Sequence, residues 1–206
     1  HNPKRVVFAE ATHHKILKAA QVLVDEGIAQ PILLGDPKEI IALIEEHKLE
    51  LNCPIIYPRK EKETLERYAQ RLYEKRQRKG LTYRDCLKLM RDRNYFAAMM
   101  VEMGDADALV SGLTKDYPKT ILPSLQIIGT APGVKRVAGM YIVMTKKGNY
   151  FFGDCTVNVD PTAEELPEII KLTANGAKFF DVVPRVAALS YSNFGSSKGE
   201  LPDKVR

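Results

Sequence analysis

The first sixty residues alternate between short apolar runs and longer stretches whose apolar residues recur at helical spacing. The runs span residues 5–10, 30–34 and 54–57, and the stretches span about 13–26 and 37–47. Short bounded runs of this kind predict buried strands, and the longer stretches predict amphipathic helices. The β-α-β-α-β order implies parallel strands joined by right-handed crossovers. We therefore expect an α/β fold.

The rest of the chain departs from this alternation. The pattern predicts helices over about 61–78, from 82, over 94–103 and around 122–128, a buried strand within 106–112, a hairpin formed by 137–145 and 150–154, a helix over 162–180 and a buried strand over 185–189. Thr162 and Glu165 form a capping-box pattern for the last of these helices. The change to a hairpin places a domain boundary near residue 137. We expect a first α/β domain over 1–136 and the beginning of a second over 137–206.

Charge is unevenly distributed along the chain. The formal net charge is +5, and residues 59–93 contain thirteen Lys or Arg against six Asp or Glu. A basic helical segment attracts phosphate groups. The alternative interpretation is a solvated helix face with ion pairs such as Glu74 with Arg78. Pattern alone leaves both open.

Several classes of protein do not fit the sequence. There is no apolar run of about 18 residues for a membrane span, and the start HNPKRVVFAE does not resemble a signal peptide. The three cysteines lie far apart and form no CxxC pair. Neither GxxxxGK[ST] nor GxGxxG is present. We expect a cytoplasmic protein that binds neither membrane nor nucleic acid.

Small polar residues follow two of the predicted strands. Ligands gather at the carboxyl ends of parallel strands, and backbone N–H groups and hydroxyls there favour phosphate or acyl-phosphate oxygens. A plain turn is the alternative, since Ser, Asn and Gly are common turn residues. The candidate ligand-binding residues of these two segments are Ser111, Gly112, Thr114, Ser190, Ser192, Asn193 and Ser196. We predict no catalytic residue and no metal ligand within the chain.

Several long blocks resemble one family. VKRVAGMYIV, NYFFGDCTVNVDPTAEELPEI and PRVAALSYSNFGSS occur in the order found in the phosphate acetyltransferase (phosphotransacetylase) family. The variant with DCTVNVDPTAEEL and SYSNFGSS is most similar to the C-terminal domain of bacterial NADP-dependent malic enzymes. NPKRVVFAEA near the start and NYFAAMMVEMGDADALVSGLT in the centre agree, so the resemblance covers essentially all 206 residues.

The resemblance implies a fold and a set of ligands. It implies a three-layer α/β fold with a parallel or mixed sheet and two domains, like isocitrate and isopropylmalate dehydrogenases, incomplete here at its C-terminus. In the transferases the cleft between the domains binds coenzyme A and acetyl phosphate. A basic stretch like YEKRQRKG contributes an arginine near the anionic ligand, which makes Arg76 a further candidate ligand-binding residue.

One departure from the family pattern shapes the functional hypothesis. The transferases usually have T-L-R-P where this chain has Thr120-Ile121-Leu122-Pro123, so leucine replaces the arginine expected to hold phosphate. Further catalytic residues of the transferases would lie beyond Arg206. We therefore expect a non-catalytic, acyltransferase-like regulatory domain that binds acetyl-CoA as an allosteric effector. The resemblance also implies a homo-oligomer, a dimer formed through this domain.

The expected parent is an oxidoreductase, a malic enzyme that converts malate to pyruvate and CO2. Its N-terminal domain would carry NADP and a divalent metal, Mg or Mn, whereas this fragment would hold no cofactor. The alternative hypothesis is an active phosphate acetyltransferase, which converts acetyl phosphate and CoA to acetyl-CoA and phosphate. An assay for that reaction separates the two.

Overall fold

A computed structural model describes residues 2–206 of the chain. The chain forms two compact units, one ending at Gly129 (unit 1) and the other spanning Thr130–Arg206 (unit 2). The boundary lies at the end of a helix, before the hairpin whose pattern suggested a second domain.

Unit 1 is built around a four-stranded sheet in which every pairing is parallel, in the order β3-β2-β1-β4. Its elements in chain order are β1 Lys4–Phe8, α1 His14–Asp25, β2 Ala29–Leu34, α2 Pro37–Glu46, β3 Ile55–Ile56, α3 Lys62–Arg76, α4 Tyr83–Leu89, α5 Arg93–Met103, β4 Ala108–Val110 and α6 Tyr117–Ile127. The predicted parallel β-α-β-α-β order is present.

Helices cover both faces of this sheet. One core cluster joins β1 and β2 to α1 and α2 through residues such as Leu17 and Ile40. The other joins the opposite face to α3, α4, α5 and α6, with Tyr68 and Phe96 among its largest buried side chains. Successive residues of a strand point to opposite faces, so β1 contributes Val7 to one cluster and Phe8 to the other. Unit 1 therefore has three layers.

The last strand of the sheet, β4, is more exposed than its sequence suggested. Ala108 and Val110 are exposed, whereas Leu109, which points to the opposite face, packs against the core cluster that contains Tyr68 and Phe96. Its register on β1 is set by a charged pair, because the carboxylate of Asp107 accepts hydrogen bonds from the backbone N–H and the guanidinium of Arg5. The expectation of a buried strand here is wrong for these two residues.

Unit 2 contains a hairpin, β5 Met140–Thr145 paired with β6 Gly148–Gly153, followed by α7 Leu166–Phe179 and α8 Glu200–Val205. Thr162 donates its backbone N–H to the carboxylate of Glu165, and the helix begins only at Leu166. Pro167 therefore lies in the first turn, where a missing N–H costs no helical hydrogen bond.

The predicted buried strand over residues 185–189 is not present. All five residues are exposed, and no strand within residues 2–206 pairs with them. An apolar run forms a strand only where a neighbouring strand satisfies its backbone groups. The following segment is thus a loop that leads into α8 and not a strand-loop-helix junction.

Within the described part of the chain, no helix is long and apolar enough to cross a membrane.

Candidate functional site

The carboxyl ends of β1 and β4 meet at one edge of the unit 1 sheet, where the predicted segment Ser111–Thr114 lies against Glu10. One carboxylate oxygen of Glu10 accepts hydrogen bonds from the N–H groups of Gly112 and Leu113, each at 2.7 Å. The other accepts from the N–H of Thr114 at 2.9 Å and from the Thr114 hydroxyl. Four donors therefore converge on a side chain that is only 3% exposed.

These contacts control the charge of Glu10. Burial alone raises the pKa of a carboxyl group, but the Thr114 hydroxyl and the three amides outweigh it and lower the pKa of Glu10 to about 2. Because its pKa is lowered on folding, the Glu10 carboxylate stabilises the folded state. This stabilisation is fully present above the ordinary pKa near 4.5 and is lost as the pH falls through about 2. Glu10 is an anion at every physiological pH.

A second hydrogen bond links the same segment to α5. The hydroxyl of Ser111 donates to Oδ1 of Asn94 at 3.0 Å. Asn94 is 1% exposed, and its Nδ2 has no hydrogen-bond partner among residues 2–206. Asp92 caps α5 by accepting from the Asn94 N–H and also pairs with Lys115 at 2.9 Å. The start of α5 is thus tied to Ser111 at one end of the segment and to Lys115, which directly follows the other end.

The predicted anion-binding segment therefore has its donors engaged within the protein. The amides of Gly112 and Thr114 and the Thr114 hydroxyl serve Glu10, and the Ser111 hydroxyl serves Asn94. A role for Ser111, Gly112 and Thr114 in ligand binding stays a prediction. In the geometry described, these groups hold the segment in place.

Arg76 differs from the three basic residues nearest before it on α3. Arg67 pairs with Asp105, and Arg71 and Lys75 both pair with Glu102. Arg76 forms no ion pair within the described residues, and its Nε is buried without a hydrogen-bond partner. Three residues of the basic stretch are thus neutralised in place, whereas Arg76 keeps donors for an anion.

Tyr95, at the start of α5, packs against the same core cluster as Tyr73 of α3. Burial raises the pKa of the Tyr95 phenol, the Asp92 charge acts in the same direction, and the Arg76 charge opposes both. The Tyr95 hydroxyl donates to Gln126 at 2.7 Å. Because α3 and α5 pack against one core cluster, Arg76 at the end of α3 and Asn94 at the start of α5 belong to elements on the same side of the unit 1 sheet.

Gly112 has a backbone conformation that only glycine adopts easily, with φ at +108°, and a Cβ there would lie 3.3 Å from Cγ2 of Thr120. We expect Gly112→Ala to destabilise the chain by about 1–3 kcal/mol through backbone strain. Urea unfolding measures this loss.

Gly27→Ala is the matched control. Its φ is +63°, and a Cβ would meet nothing within 4 Å. We expect a smaller loss of stability for Gly27→Ala, and this loss measures the cost of the positive φ alone. Equal stability of Gly112→Ala and the unaltered chain would contradict the strained conformation described here.

The second predicted segment lies in unit 2 and is held by its own hydroxyl groups. Ser192 Oγ accepts from the N–H of Ser197 and donates to its carbonyl, both at 3.0 Å. Ser190 Oγ accepts from the N–H of Ser192 at 3.2 Å. Asn193 begins a short 3-10 turn, and the Ser196 N–H donates to its carbonyl. The segment is a well-formed turn, with Ser190, Asn193 and Ser196 exposed, and its ligand role stays a prediction.

Unit 2 also contains an open cavity of about 540 Å³. Its lining is charged and includes the ion pair of Arg136 with Glu165. None of the predicted site residues lines it.

The sequence did not single out Glu10 or Asn94. Glu10 was placed in the first strand, although a charged residue just after a buried parallel strand lies where ligands and buried polar contacts gather. For Asn94, the signal was an uncharged polar residue in the first turn of a largely apolar helix. No group of three or more His, Cys, Asp or Glu in residues 2–206 is placed to hold a metal ion.

Comparison with known proteins gives a consistent picture. The family model for phosphate acetyl/butaryl transferase matches residues 1–206. The phosphate acetyltransferases of Clostridium acetobutylicum and Bacillus subtilis are each 39% identical over 98% of this chain, and the chain covers 63% and 62% of them. The solved phosphotransacetylase of Streptococcus pyogenes matches with a TM-score of 0.88 and 37% identity, over 98% of this chain and 62% of that one. The chain thus spans about three fifths of the length of these relatives.

These findings overturn the malic-enzyme hypothesis. The relatives are named phosphate acetyltransferases, so the expected regulatory domain of an NADP-dependent malic enzyme is wrong, as is the expected oxidoreductase parent. Three further expectations are wrong for the same reason: the non-catalytic role, the NADP and the Mg or Mn of the parent, and acetyl-CoA as an allosteric effector. Short blocks and one substitution at Leu122 had favoured the wrong branch, whereas similarity over the whole chain favours the transferases.

The α/β architecture, the parallel sheet and the match over all 206 residues agree, and the chain belongs to the phosphate acetyl/butaryl transferase family.

Proposed function

We propose that this chain takes part in acetyl transfer between phosphate and coenzyme A, converting acetyl phosphate and CoA to acetyl-CoA and phosphate. The observation that carries the proposal is the family match along residues 1–206, supported by relatives named for this activity at 39% identity. The thiol sulfur of CoA forms a bond to the acetyl carbon, the bond from that carbon to the phosphate oxygen breaks, and the thiol proton ends on phosphate or solvent.

Both substrates carry phosphate groups, so the main task of the protein is to bind and orient anions. Arg76 is the residue in unit 1 best suited to this task, because its guanidinium has no carboxylate partner among the described residues and its Nε is buried. A guanidinium can hold phosphate oxygens through two parallel hydrogen bonds. Held close and aligned, the two substrates react as if within one molecule.

Leu122 gives this chain a weaker phosphate site than the family pattern implies. It lies on α6 and is 44% exposed, and a leucine offers neither charge nor donor. Arg76 would then carry a larger share of anion recognition within unit 1.

The test is an assay of the chain for acetyl-CoA formation from acetyl phosphate and CoA, followed by the absorbance of the thioester. We expect turnover that requires both acetyl phosphate and CoA. We expect slower turnover when butyryl phosphate replaces acetyl phosphate. A rate equal to that of heat-inactivated protein would refute the proposal.

Four further features are part of the same proposal. An acyl-CoA is the small-molecule partner, which calorimetric titration with CoA tests. A homo-oligomer is the functional form, which sedimentation tests. The architecture is a two-domain fold like that of isocitrate dehydrogenase, and superposition on a solved dehydrogenase tests this. The location is cytoplasmic, and fractionation of cells tests this.

A further inference from the structure

We propose that Glu10 is a positioning residue of the unit 1 site, which holds the segment Ser111–Thr114 by its backbone and thereby sets the positions of Ser111 and Asn94. The role in the reaction rests on the proposed acetyl transfer. The anchoring itself rests on geometry alone.

The first step is the direction of the contacts. Gly112, Leu113 and Thr114 are exposed residues, yet their N–H groups all donate inward to the carboxylate of Glu10. The partners are 102 to 104 residues apart in the chain. A loop held only by its own turn would move freely, whereas these three hydrogen bonds tie its backbone to the end of β1.

The second step is transmission to side chains. Ser111 directly precedes the anchored amide of Gly112, and its hydroxyl fixes Oδ1 of Asn94 at 3.0 Å. Asn94 then presents Nδ2, a buried donor without a partner in the described residues. The orientation of that amide follows from the position of Ser111, which follows from Glu10.

The alternative is that Glu10 is a plug, an internal anion that a substrate phosphate displaces from the three amides. Glu10 is 3% exposed and has no cationic partner within residues 2–206. Displacement from the three amides would leave a buried carboxylate with only one of its four donors, which is strongly unfavourable. The structure therefore favours a permanent anchor.

The test uses Glu10→Gln in the whole chain. The amide keeps the size of the side chain but turns an NH₂ group toward two of the four donors. We expect the N–H groups of Gly112–Thr114 to exchange with deuterium at least about tenfold faster. Glu46→Gln, the same change at an exposed position of α2, is the control and should leave their exchange unchanged.

Enzyme kinetics distinguish a positioning role of Glu10 from a role in proton transfer. We expect Glu10→Gln to lower kcat/KM at least about tenfold across pH 6–9 without changing the shape of the pH profile, because a positioning residue transfers no proton. Thr114→Val, which removes one of the four donors from an exposed side chain, should act in the same direction to a smaller extent.

Each contrary result has a distinct meaning. Unchanged exchange in Glu10→Gln and Thr114→Val overturns the anchor. Faster exchange with unchanged kcat/KM overturns the positioning role, and a lower KM for acetyl phosphate shows that Glu10 is a plug. Absent turnover in the unaltered chain removes the proposed function, and the role of Glu10 in it, while the exchange data still report on the anchor.

Discussion

Replacing Arg76 by alanine is expected to lower kcat/KM for acetyl transfer by about 10- to 150-fold. One hydrogen bond to a charged group contributes about 1.5–3 kcal/mol, and each 1.4 kcal/mol is a factor of ten. Arg76 forms no ion pair with the described residues, and its Nε has no partner there. The variant therefore loses no internal hydrogen bond at Nε, and we expect little loss of stability.

Two further variants sharpen this measurement. Arg76→Lys keeps the charge but lacks the planar fork of donors, so we expect an intermediate loss. Arg84→Ala removes an exposed arginine from α4 and should leave both kcat and KM unchanged. Steady-state kinetics with acetyl phosphate and CoA varied in turn shows which substrate Arg76 binds. An Arg76→Ala variant with the kinetics of the unaltered chain would exclude Arg76 from the site.

Most of unit 1 could be predicted because its signals are local. The apolar runs of β1 and β2 and the Asp36-Pro37 start of α2 determine their elements within a few residues. The parallel order then follows from chain connectivity. Similarly local evidence located the hairpin of unit 2, whereas the predicted capping box does not cap the helix, which begins at Leu166 with Glu165 as its N-cap residue.

The features that the sequence did not predict correctly depend on partners that are distant along the chain. Residues 185–189 have the composition of a buried strand, but pairing requires a neighbouring strand that the described residues do not supply. The contact of Glu10 with Gly112 joins residues 102 positions apart and uses backbone N–H groups, which every non-proline residue carries. No residue pattern at positions 112–114 marks those amides as already engaged.

Arg76 illustrates the contribution of each kind of evidence. Charge counting found only a basic stretch, and the family resemblance selected Arg76 from it. The structure adds a physical distinction, because Arg67, Arg71 and Lys75 have carboxylate partners and Arg76 has none among the described residues. Its role with an anionic ligand stays a prediction that the alanine variant tests.

Leu122→Arg is expected to raise kcat/KM for acetyl transfer at least about tenfold, mainly by lowering KM for acetyl phosphate. Removing one donor from a transition-state site costs about 2–4 kcal/mol, and restoring the arginine typical of the family should recover part of this. Leu122 is 44% exposed on α6. The longer side chain can therefore lie along the surface with its charge in water, at little cost in stability.

The matched control is Ile128→Arg, which adds the same charge at the end of the same helix, where the side chain is 45% exposed. A general increase in positive potential would raise the rate in both variants, whereas a specific phosphate contact raises it only at position 122. If Leu122→Arg leaves KM for acetyl phosphate unchanged, the segment Thr120–Pro123 does not occupy the place of T-L-R-P in the family. The leucine would then be a surface residue of α6 that leaves phosphate binding unaffected, and Arg76 would have to act with a cation from another segment.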